Sequence, residues 1–256
     1  MTNSGTVLVM GSAPNVTACR DWPKSYFSAI VAINNAWRVR DDWDYHVAPD
    51  DFPKDRLPQN LRDTQNLIGA ASYVPANNDF GGIIYAGATM AFSAGYWALA
   101  ALRPRTMVFV GCDMVYPARG NTHFYGSGTP DPLRDDVTLR NLEAKSARLM
   151  AHAARHGCAC VRLAGGASRL LFSTATLEEI AQDLARPLLP DPNAFLQVKA
   201  REQALGYFVK SGRYWENADA IDVTALDAID QMWTQLYTTN APAQITRSPL
   251  RAAPRG

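Results

Sequence analysis

The chain has 256 residues, 47% of them apolar, and a formal net charge of +1 at pH 7. This length and composition allow one good hydrophobic core, and the near-neutral charge without a Lys/Arg-rich run argues against a nucleic-acid-binding surface. No apolar run approaches the ~18 residues of a membrane span, and the four cysteines form no CxxC pair. With no signal-peptide pattern either, we expect a cytoplasmic protein with free thiols, which can still act at the inner face of the membrane.

Short apolar runs alternate along the chain with helical patterns. The runs predict strands at residues 6–10, 29–33, 45–48, 67–68 with 72–74, 106–110 and 159–163. The helical patterns predict helices at residues 15–20, 89–102, 137–156, 194–209 and 223–237. This alternation favours a Rossmann-like α/β fold with a doubly wound, mostly parallel sheet.

The character of the chain changes near residue 187, in a turn-rich stretch with three prolines. We therefore predict a nucleotide-binding domain at 1–186 and a helical C-terminal extension at 187–239, with a disordered tail at 240–256. The aromatic residues of the extension pack on the core or form a subunit contact, which leaves open whether the chain is a homo-oligomer. They are Tyr207, Phe208, Tyr214 and Trp215.

Two predicted strands stop abruptly at glycine, which is typical of buried parallel strands that open onto a ligand crevice. The first leads into a loop of five residues, Gly11, Ser12, Ala13, Pro14 and Asn15. The second ends at Gly111, with Asp113 two residues later. Since glycine lets a backbone approach a phosphate and a following helix offers N–H groups, these strand ends predict a nucleotide site.

Polar side chains also follow the second and third predicted strands. Asn34 and Asn35 come directly after residues 29–33, and an amide can both donate to and accept from a base or a sugar hydroxyl. Asp50 follows the third strand, where it could hold sugar hydroxyls or a metal. These residues extend the predicted site along the same edge of the sheet.

A glycine-rich segment at about residues 114–136 is typical of a lid over a crevice. His123 is the best candidate general base because the ordinary pKa of histidine lies near working pH. The hydroxyls of Tyr116 and Tyr125 can donate to a phosphate when no metal is present.

No metal site is predicted. The acidic pair Asp42 and Asp44 precedes its strand and so belongs to the wrong end of the sheet for a glycosyltransferase D-x-D motif. His152 and His156 are four residues apart with no third ligand evident, which indicates a solvated helix face. His46 is interpreted as a core histidine.

Several of these features occur in an order that resembles a known family. They are the Gly11-x-x-Pro14-Asn15 loop, Asn34 at a strand end, the long helix from Thr89 leading to Val110-Gly111-Cys112-Asp113, the stretch from His123 to Gly126, and Ser168-Arg169-Leu170-Leu171-Phe172. Over about residues 5–175 this order resembles the bacterial CMP-sialic-acid sialyltransferases that cap lipooligosaccharides.

The resemblance implies a metal-independent enzyme that moves a sialic-acid-like sugar from a CMP-activated donor to a glycan hydroxyl. It implies that the loop from Gly11 to Asn15, Asn34 and Thr89 bind the nucleotide and that Asp50 contacts the sugar. His123 would be the base, and Tyr116 and Tyr125 would hold the departing phosphate. The chain departs from the family pattern at Ala13 and Asn15, in a shorter lid, and at Ser127, where the family has its base.

Two alternatives stay open. The same skeleton is similar to the archaeal 6-hydroxymethylpterin diphosphokinase-like proteins, in which Asp50 and Asp113 would serve Mg²⁺ and ATP. A non-catalytic nucleotide-binding module is the other, and it is favoured by Ser127 in place of the family's base.

Overall fold

The computed structural model describes residues 4–116, 120–126 and 134–238, and a sheet of seven parallel strands lies at its centre. The strands are β1 (Ser4–Met10), β2 (Ala29–Ile33), β3 (Tyr45–Val47), β4 (Asn66–Ile68), β5 (Pro104–Val110), β6 (Ala159–Leu163) and β7 (Ser173–Ala175). Their order across the sheet is β4-β3-β2-β1-β5-β6-β7, so the winding reverses between β1 and β5. Such a reversal opens a crevice at the carboxyl ends of the strands. The predicted α/β fold class is confirmed.

Seven α-helices connect or follow the strands in the described part of the chain. They are α1 (Ala70–Asp79), α2 (Ile83–Ala86), α3 (Met90–Leu102), α4 (Leu142–Arg155), α5 (Leu177–Ala181), α6 (Pro192–Leu205) and α7 (Val223–Thr238). The connections after β1 and β2 are instead short 3-10 turns, at Pro14–Cys19 and Asn34–Arg38. No helix in the described ranges combines the length and apolar character that crossing a membrane requires.

The two faces of the sheet carry separate cores, because successive side chains of a strand point to opposite faces. On one face Val7 and Val9 of β1 pack in a large core with residues from α1, α3, α4, α6 and α7. On the other face Leu8 and Met10 pack in a thinner core, which is covered mainly by the 3-10 turns and by α5. The thick face thus carries the long helices α3, α4, α6 and α7.

The C-terminal helices share the core of the thick face. Lys145 of α4 pairs with Asp230 of α7 (Nζ–Oδ1 2.7 Å), and both side chains are almost fully buried. Arg148 of α4 pairs with Glu202 of α6 (Nε–Oε1 2.7 Å), and Trp233 of α7 donates to the same carboxylate at 2.8 Å. Burial opposes ionisation of Glu202, but the charges of Arg148 and Lys199 outweigh it and hold its pKa below the usual value.

The structure differs from two predicted elements and contains a strand that was not predicted. Residues 72–74 lie inside α1, where Tyr73, Ala76 and Asn77 are buried at helical spacing and the helix packs against α3, so the prediction of a strand there was wrong. The predicted helix at 137–156 is divided into a 3-10 turn and α4, because Asp136 and Asn141 each cap a separate N-terminus. β7 was not predicted, since three residues carry too little periodicity to identify a strand.

The interpretation of His152 as part of a solvated face was wrong. The side chain is 6% exposed and is surrounded by the rings of Phe80, Tyr96, Phe195 and Trp233. Burial, followed by the nearby charges of Arg148 and Lys199, lowers the pKa of His152 well below its usual value. His152 is therefore a neutral core residue.

Some predicted features lie outside the described residues. These are residues 117–119 and 127–133 of the predicted lid, including Ser127, and the predicted tail at 240–256.

Candidate functional site

Two neighbouring cavities lie at the carboxyl ends of the strands. The larger has a volume of about 770 Å³ and the smaller about 220 Å³. Four residues line both cavities and so form their common boundary: Asn34, Phe52, Pro53 and Met90. The position between β1 and β5 is where an α/β sheet of this order binds ligands.

The smaller cavity brings together most of the residues that were predicted to bind a nucleotide or act in catalysis. Those that line it are Gly11, Ser12, Asn34, Asn35, Thr89, Gly111, Tyr116, His123 and Tyr125. Asp50 lines the larger cavity, which Asn34 also lines. Four predicted residues line neither cavity, namely Ala13, Pro14, Asn15 and Asp113.

The two strand-end glycines let β1 and β5 approach each other closely. A Cβ on Gly11 would lie 2.6 Å from Cys112 Sγ, and one on Gly111 would lie 2.7 Å from Val16 Cβ. Gly111 also has a φ of +75°, which favours glycine. The N–H groups of Gly11 and Ala13 donate to Val110 O (2.8 Å) and Gly111 O (2.9 Å). These donors are therefore used within the sheet and are not offered to a phosphate.

Asn15 and Asp113 bind each other across the same strand ends. Asn15 Nδ2 donates to Asp113 Oδ2 at 2.6 Å, and the Asp113 carbonyl accepts from Arg169 N at 2.9 Å. This arrangement ties the first loop to the segment after β5. The pair therefore has a structural role and does not line either cavity.

The N-terminus of α3 takes the place at the crevice that was expected for the helix after β1. Thr89 caps α3 with its hydroxyl, which accepts from Phe92 N at 3.2 Å, while Met90 and Ala91 line the smaller cavity. The first N–H groups of a helix have no acceptor within it and stand at the positive end of its dipole. Arg56 adds a guanidinium, and the described lining of this cavity contains no Asp or Glu. The smaller cavity is thus suited to an anion.

The side-chain amide oxygens of Asn34 and Asn35 are buried and lack hydrogen-bond partners in the described part of the chain. The backbone of Asn34 is left-handed, with a φ of +51°, and its carbonyl accepts from His46 Nε2 at 2.7 Å. His46 is 1% exposed, which confirms its interpretation as a core residue, and burial lowers its pKa. Asn35 is 4% exposed, and a buried amide oxygen without a donor costs about 1–3 kcal/mol. A ligand could donate to these oxygens and remove that cost only after the amide groups reorient toward the cavity, because both oxygens are closed to solvent in this structure.

His123 lies in a tight hairpin that is attached to the first loop. His123 and Gly126 exchange two backbone hydrogen bonds (3.0 and 3.1 Å), and Phe124 N donates to Ser12 O at 3.0 Å. The imidazole stacks on Tyr125 with 4.9 Å between ring centroids, and its Nδ1 lies 2.9 Å from Thr122 Oγ1. The hairpin thereby holds an imidazole and a phenol in the wall of the smaller cavity.

The larger cavity is built from parts of the chain that are far apart in sequence. Asp50, Asp51 and Tyr73 line one side, and the segment 211–216 between α6 and α7 lines another. Burial, followed by the charges of Asp50 and Asp51, raises the pKa of Tyr73 to about 12. The segment 211–216 was not predicted to belong to a site. The adjacent aromatic residues Tyr214 and Trp215, which follow Gly212 closely in the sequence, were the signal that could have found it.

The two aspartates of the D-x-D pattern, Asp42 and Asp44, lie at the amino ends of the strands, away from the cavities, and form structural contacts there. Asp42 pairs with Arg40 (Oδ2–Nη2 2.7 Å), and Asp44 pairs with Lys24 and accepts from Ile30 N at 2.7 Å. Among the described residues, no group of three His, Cys, Asp or Glu side chains is arranged to hold a metal ion.

Comparisons with models of known protein families, with curated proteins and with solved structures give no match to this chain.

Proposed function

We propose that the protein is a metal-independent glycosyltransferase that takes a sugar from a nucleotide-activated donor, with CMP as the carrier. The observation that carries the proposal is the acid-free smaller cavity at the N-terminus of α3, which adjoins a larger cavity with room for a second substrate. The geometry supports a nucleoside phosphate, and the choice of CMP and of a sialic-acid-like sugar rests on the family resemblance.

The donor would lie across the boundary of the two cavities. At about 220 Å³ the smaller cavity is below the usual range for a whole ligand, so it takes the phosphate and ribose of the nucleotide. The phosphate accepts from the first N–H groups of α3 and from Arg56, while the amides of Asn34 and Asn35, once reoriented toward the cavity, bind the ribose or base. The sugar then projects past Asn34 and Met90 toward the larger cavity.

The reaction follows from this placement. His123 removes the proton of an acceptor hydroxyl, whose oxygen forms a bond to the anomeric carbon as the bond between that carbon and the phosphate oxygen breaks. If Nδ1–H donates to Thr122, Nε2 is the basic nitrogen. The hydroxyls of Tyr116 and Tyr125 donate to the phosphate of the departing CMP.

The first test is a thermal-shift titration of the purified protein with CMP, UDP, GDP and ATP, each with and without Mg²⁺. A ligand that binds only the folded state raises the melting temperature by mass action. We expect a shift that is largest for CMP and unchanged by Mg²⁺. A shift that requires ATP and Mg²⁺ would overturn the proposal in favour of a diphosphokinase-type transferase, and no shift with any nucleotide would favour a non-catalytic module.

The described part of the structure adds no support for either alternative. The diphosphokinase interpretation needs Asp50 and Asp113 at one metal, but Asp50 lines the larger cavity while Asp113 is bonded to Asn15 outside both. The non-catalytic interpretation needs an empty base position, whereas His123 lines the smaller cavity.

A further inference from the structure

The lining of the larger cavity contains more negatively charged than positively charged side chains. Four carboxylates and two guanidinium groups line it: Asp50, Asp51, Asp136, Glu216, Arg134 and Arg213. Asp136 is paired with Arg134 (3.0 Å) and with the Tyr214 hydroxyl, and Glu216 lies 3.6 Å from Arg213. The remaining negative charge is therefore that of Asp50 and Asp51, and it disfavours an anionic ligand.

Three side chains of this cavity can still form hydrogen bonds with a ligand: the carboxylates of Asp50 and Asp51 as acceptors and the hydroxyl of Tyr73 as a donor. Asp50 uses one carboxylate oxygen to accept from Ala70 N at 3.3 Å at the start of α1. Within the part of the chain that the structure describes, neither the Asp51 carboxylate nor the Tyr73 hydroxyl makes a hydrogen bond. Two neighbouring carboxylates can accept from two hydroxyls of one ligand, and a phenol can donate to a third oxygen.

Trp215 supplies a large aromatic face to the same cavity. Its side chain is 63% exposed although it lines the cavity, and it meets Tyr214 edge-on with 5.5 Å between ring centroids. An exposed tryptophan is a common hot spot for ligand contact because it offers a rigid amphipathic surface. Aromatic faces combined with carboxylates fit a ring that has an apolar C–H face and hydroxyls at its edge.

We infer that the larger cavity is the acceptor subsite and binds a neutral hexopyranoside, with Trp215 against the C–H face of the ring and Asp50 and Asp51 accepting from its hydroxyls. This inference rests on the proposed function, because it treats the second cavity as the place of the acceptor. Beyond the proposed function, the inference specifies the chemical class of the acceptor. It also identifies the segment 211–216 as the part of the chain that determines acceptor specificity.

The test is a ¹⁹F NMR titration of the full chain labelled with 5-fluorotryptophan. Trp215→Phe identifies the Trp215 resonance among the six tryptophans. The probes are methyl β-galactoside, methyl β-glucoside, methyl α-mannoside and methyl N-acetyl-β-glucosaminide, each added with and without saturating CMP. We expect at least one glycoside to shift the Trp215 resonance, and Asp51→Asn to weaken that binding about tenfold, since a hydrogen bond to a charged group is lost. Asp63→Asn, an exposed carboxylate outside both cavities, is the matched control and leaves binding unchanged.

The outcomes separate this inference from the proposed function. If CMP raises the melting temperature but no glycoside moves the Trp215 resonance, the inference is overturned and the proposed function stands. If a glycoside binds at Trp215 but no nucleotide binds, the transferase proposal fails while the sugar site remains. Tighter binding of cationic glucosamine than of methyl β-glucoside, or unchanged glycoside binding in Asp51→Asn, would also overturn the inference, because the carboxylates would then serve a cation or nothing at all.

Discussion

The two cavities share a boundary of four residues but differ in charge and in origin. The smaller has no carboxylate in its described lining and is formed by strand ends, the first turn of α3 and the His123 hairpin. The larger has four carboxylates against two guanidinium groups, and a wall formed by the segment between α6 and α7. A crevice divided in this way can hold an anionic donor and a neutral acceptor side by side without either occupying the other's place.

The difference also shows which part of the fold supports each cavity. The smaller cavity depends on the sheet, because the β1 and β5 ends are fastened by backbone hydrogen bonds and by the Asn15–Asp113 pair. The larger cavity depends on the C-terminal helices, which the buried pairs at Lys145 and Arg148 hold against α4. Changes in the two regions should therefore have separable effects.

The largest effect is expected from His123→Ala. Removing the base should lower the turnover about 10²–10⁴-fold while the affinity for CMP is retained. The measurement is CMP release from CMP-N-acetylneuraminic acid in the presence of a glycoside acceptor. His156→Ala is the control, since this histidine lines neither cavity. Turnover in His123→Ala above about a tenth of the wild-type value would show that another group is the base.

The next largest effect is expected on stability from Asp230→Ala. The substitution leaves the Lys145 ammonium buried without its carboxylate, and breaking a buried pair in this way costs about 3–5 kcal/mol. Urea unfolding measures the loss, and glycoside binding at the larger cavity should weaken with it. Asp227→Ala on the same helix removes an exposed partner of Arg140 and should change the stability little. Equal stabilities of the two variants would contradict the role of the buried pair in holding α7.

A smaller effect is expected from Arg56→Ala in the wall of the smaller cavity. Loss of one charge-assisted contact to phosphate should weaken CMP binding about tenfold and leave glycoside binding unchanged. Lys54→Ala, in the same 3-10 turn but outside both cavities, is the matched control. Calorimetric titration with CMP measures both. An equal loss of CMP affinity in the two variants would contradict a direct contact between Arg56 and the phosphate, and would indicate only a general effect of the positive charge of this turn.

The smallest effect is expected on the pH dependence of the stability, through His152 in the core. Because the pKa of His152 is lowered in the folded state, the unfolded chain binds its proton more readily, and stability falls as the pH drops below about 6.5. Between pH 7 and pH 5.5 this histidine should cost about 1 kcal/mol. Urea unfolding of His152→Phe at the two pH values should show a smaller loss, with His46 still contributing in both proteins. An unchanged pH dependence in the variant would contradict the assignment of His152 as a neutral core residue.

The sheet and one cavity could be predicted from the sequence because their signals are local. A buried apolar run that stops at glycine marks a strand end, so the carboxyl ends of β1 and β5 followed from short segments. The lining by Ser12, Asn34 and His123 followed from the residues next to such strand ends and from the glycine-rich segment. The role of the glycines did not follow, because the close contact of Gly11 with Gly111 depends on residues a hundred positions apart.

The larger cavity could not be predicted for the same reason. Trp215 reaches it only because α6 and α7 are held on α4 by pairs such as Lys145–Asp230, whose partners are 85 residues apart. The prediction of a strand at 72–74 failed because tertiary packing against α3 overrode a short β-like run. The missed cavity and the wrong strand both involve residues whose environment is determined by segments that are distant in sequence.

The most direct test of the division between the two cavities is a crystal structure of the protein with CMP. We predict that the phosphate lies at the first turn of α3, within hydrogen-bonding distance of the Met90 and Ala91 N–H groups, and that the larger cavity stays open. CMP bound in the larger cavity against Asp50, or a phosphate at the Pro14–Cys19 turn instead of at α3, would contradict the account.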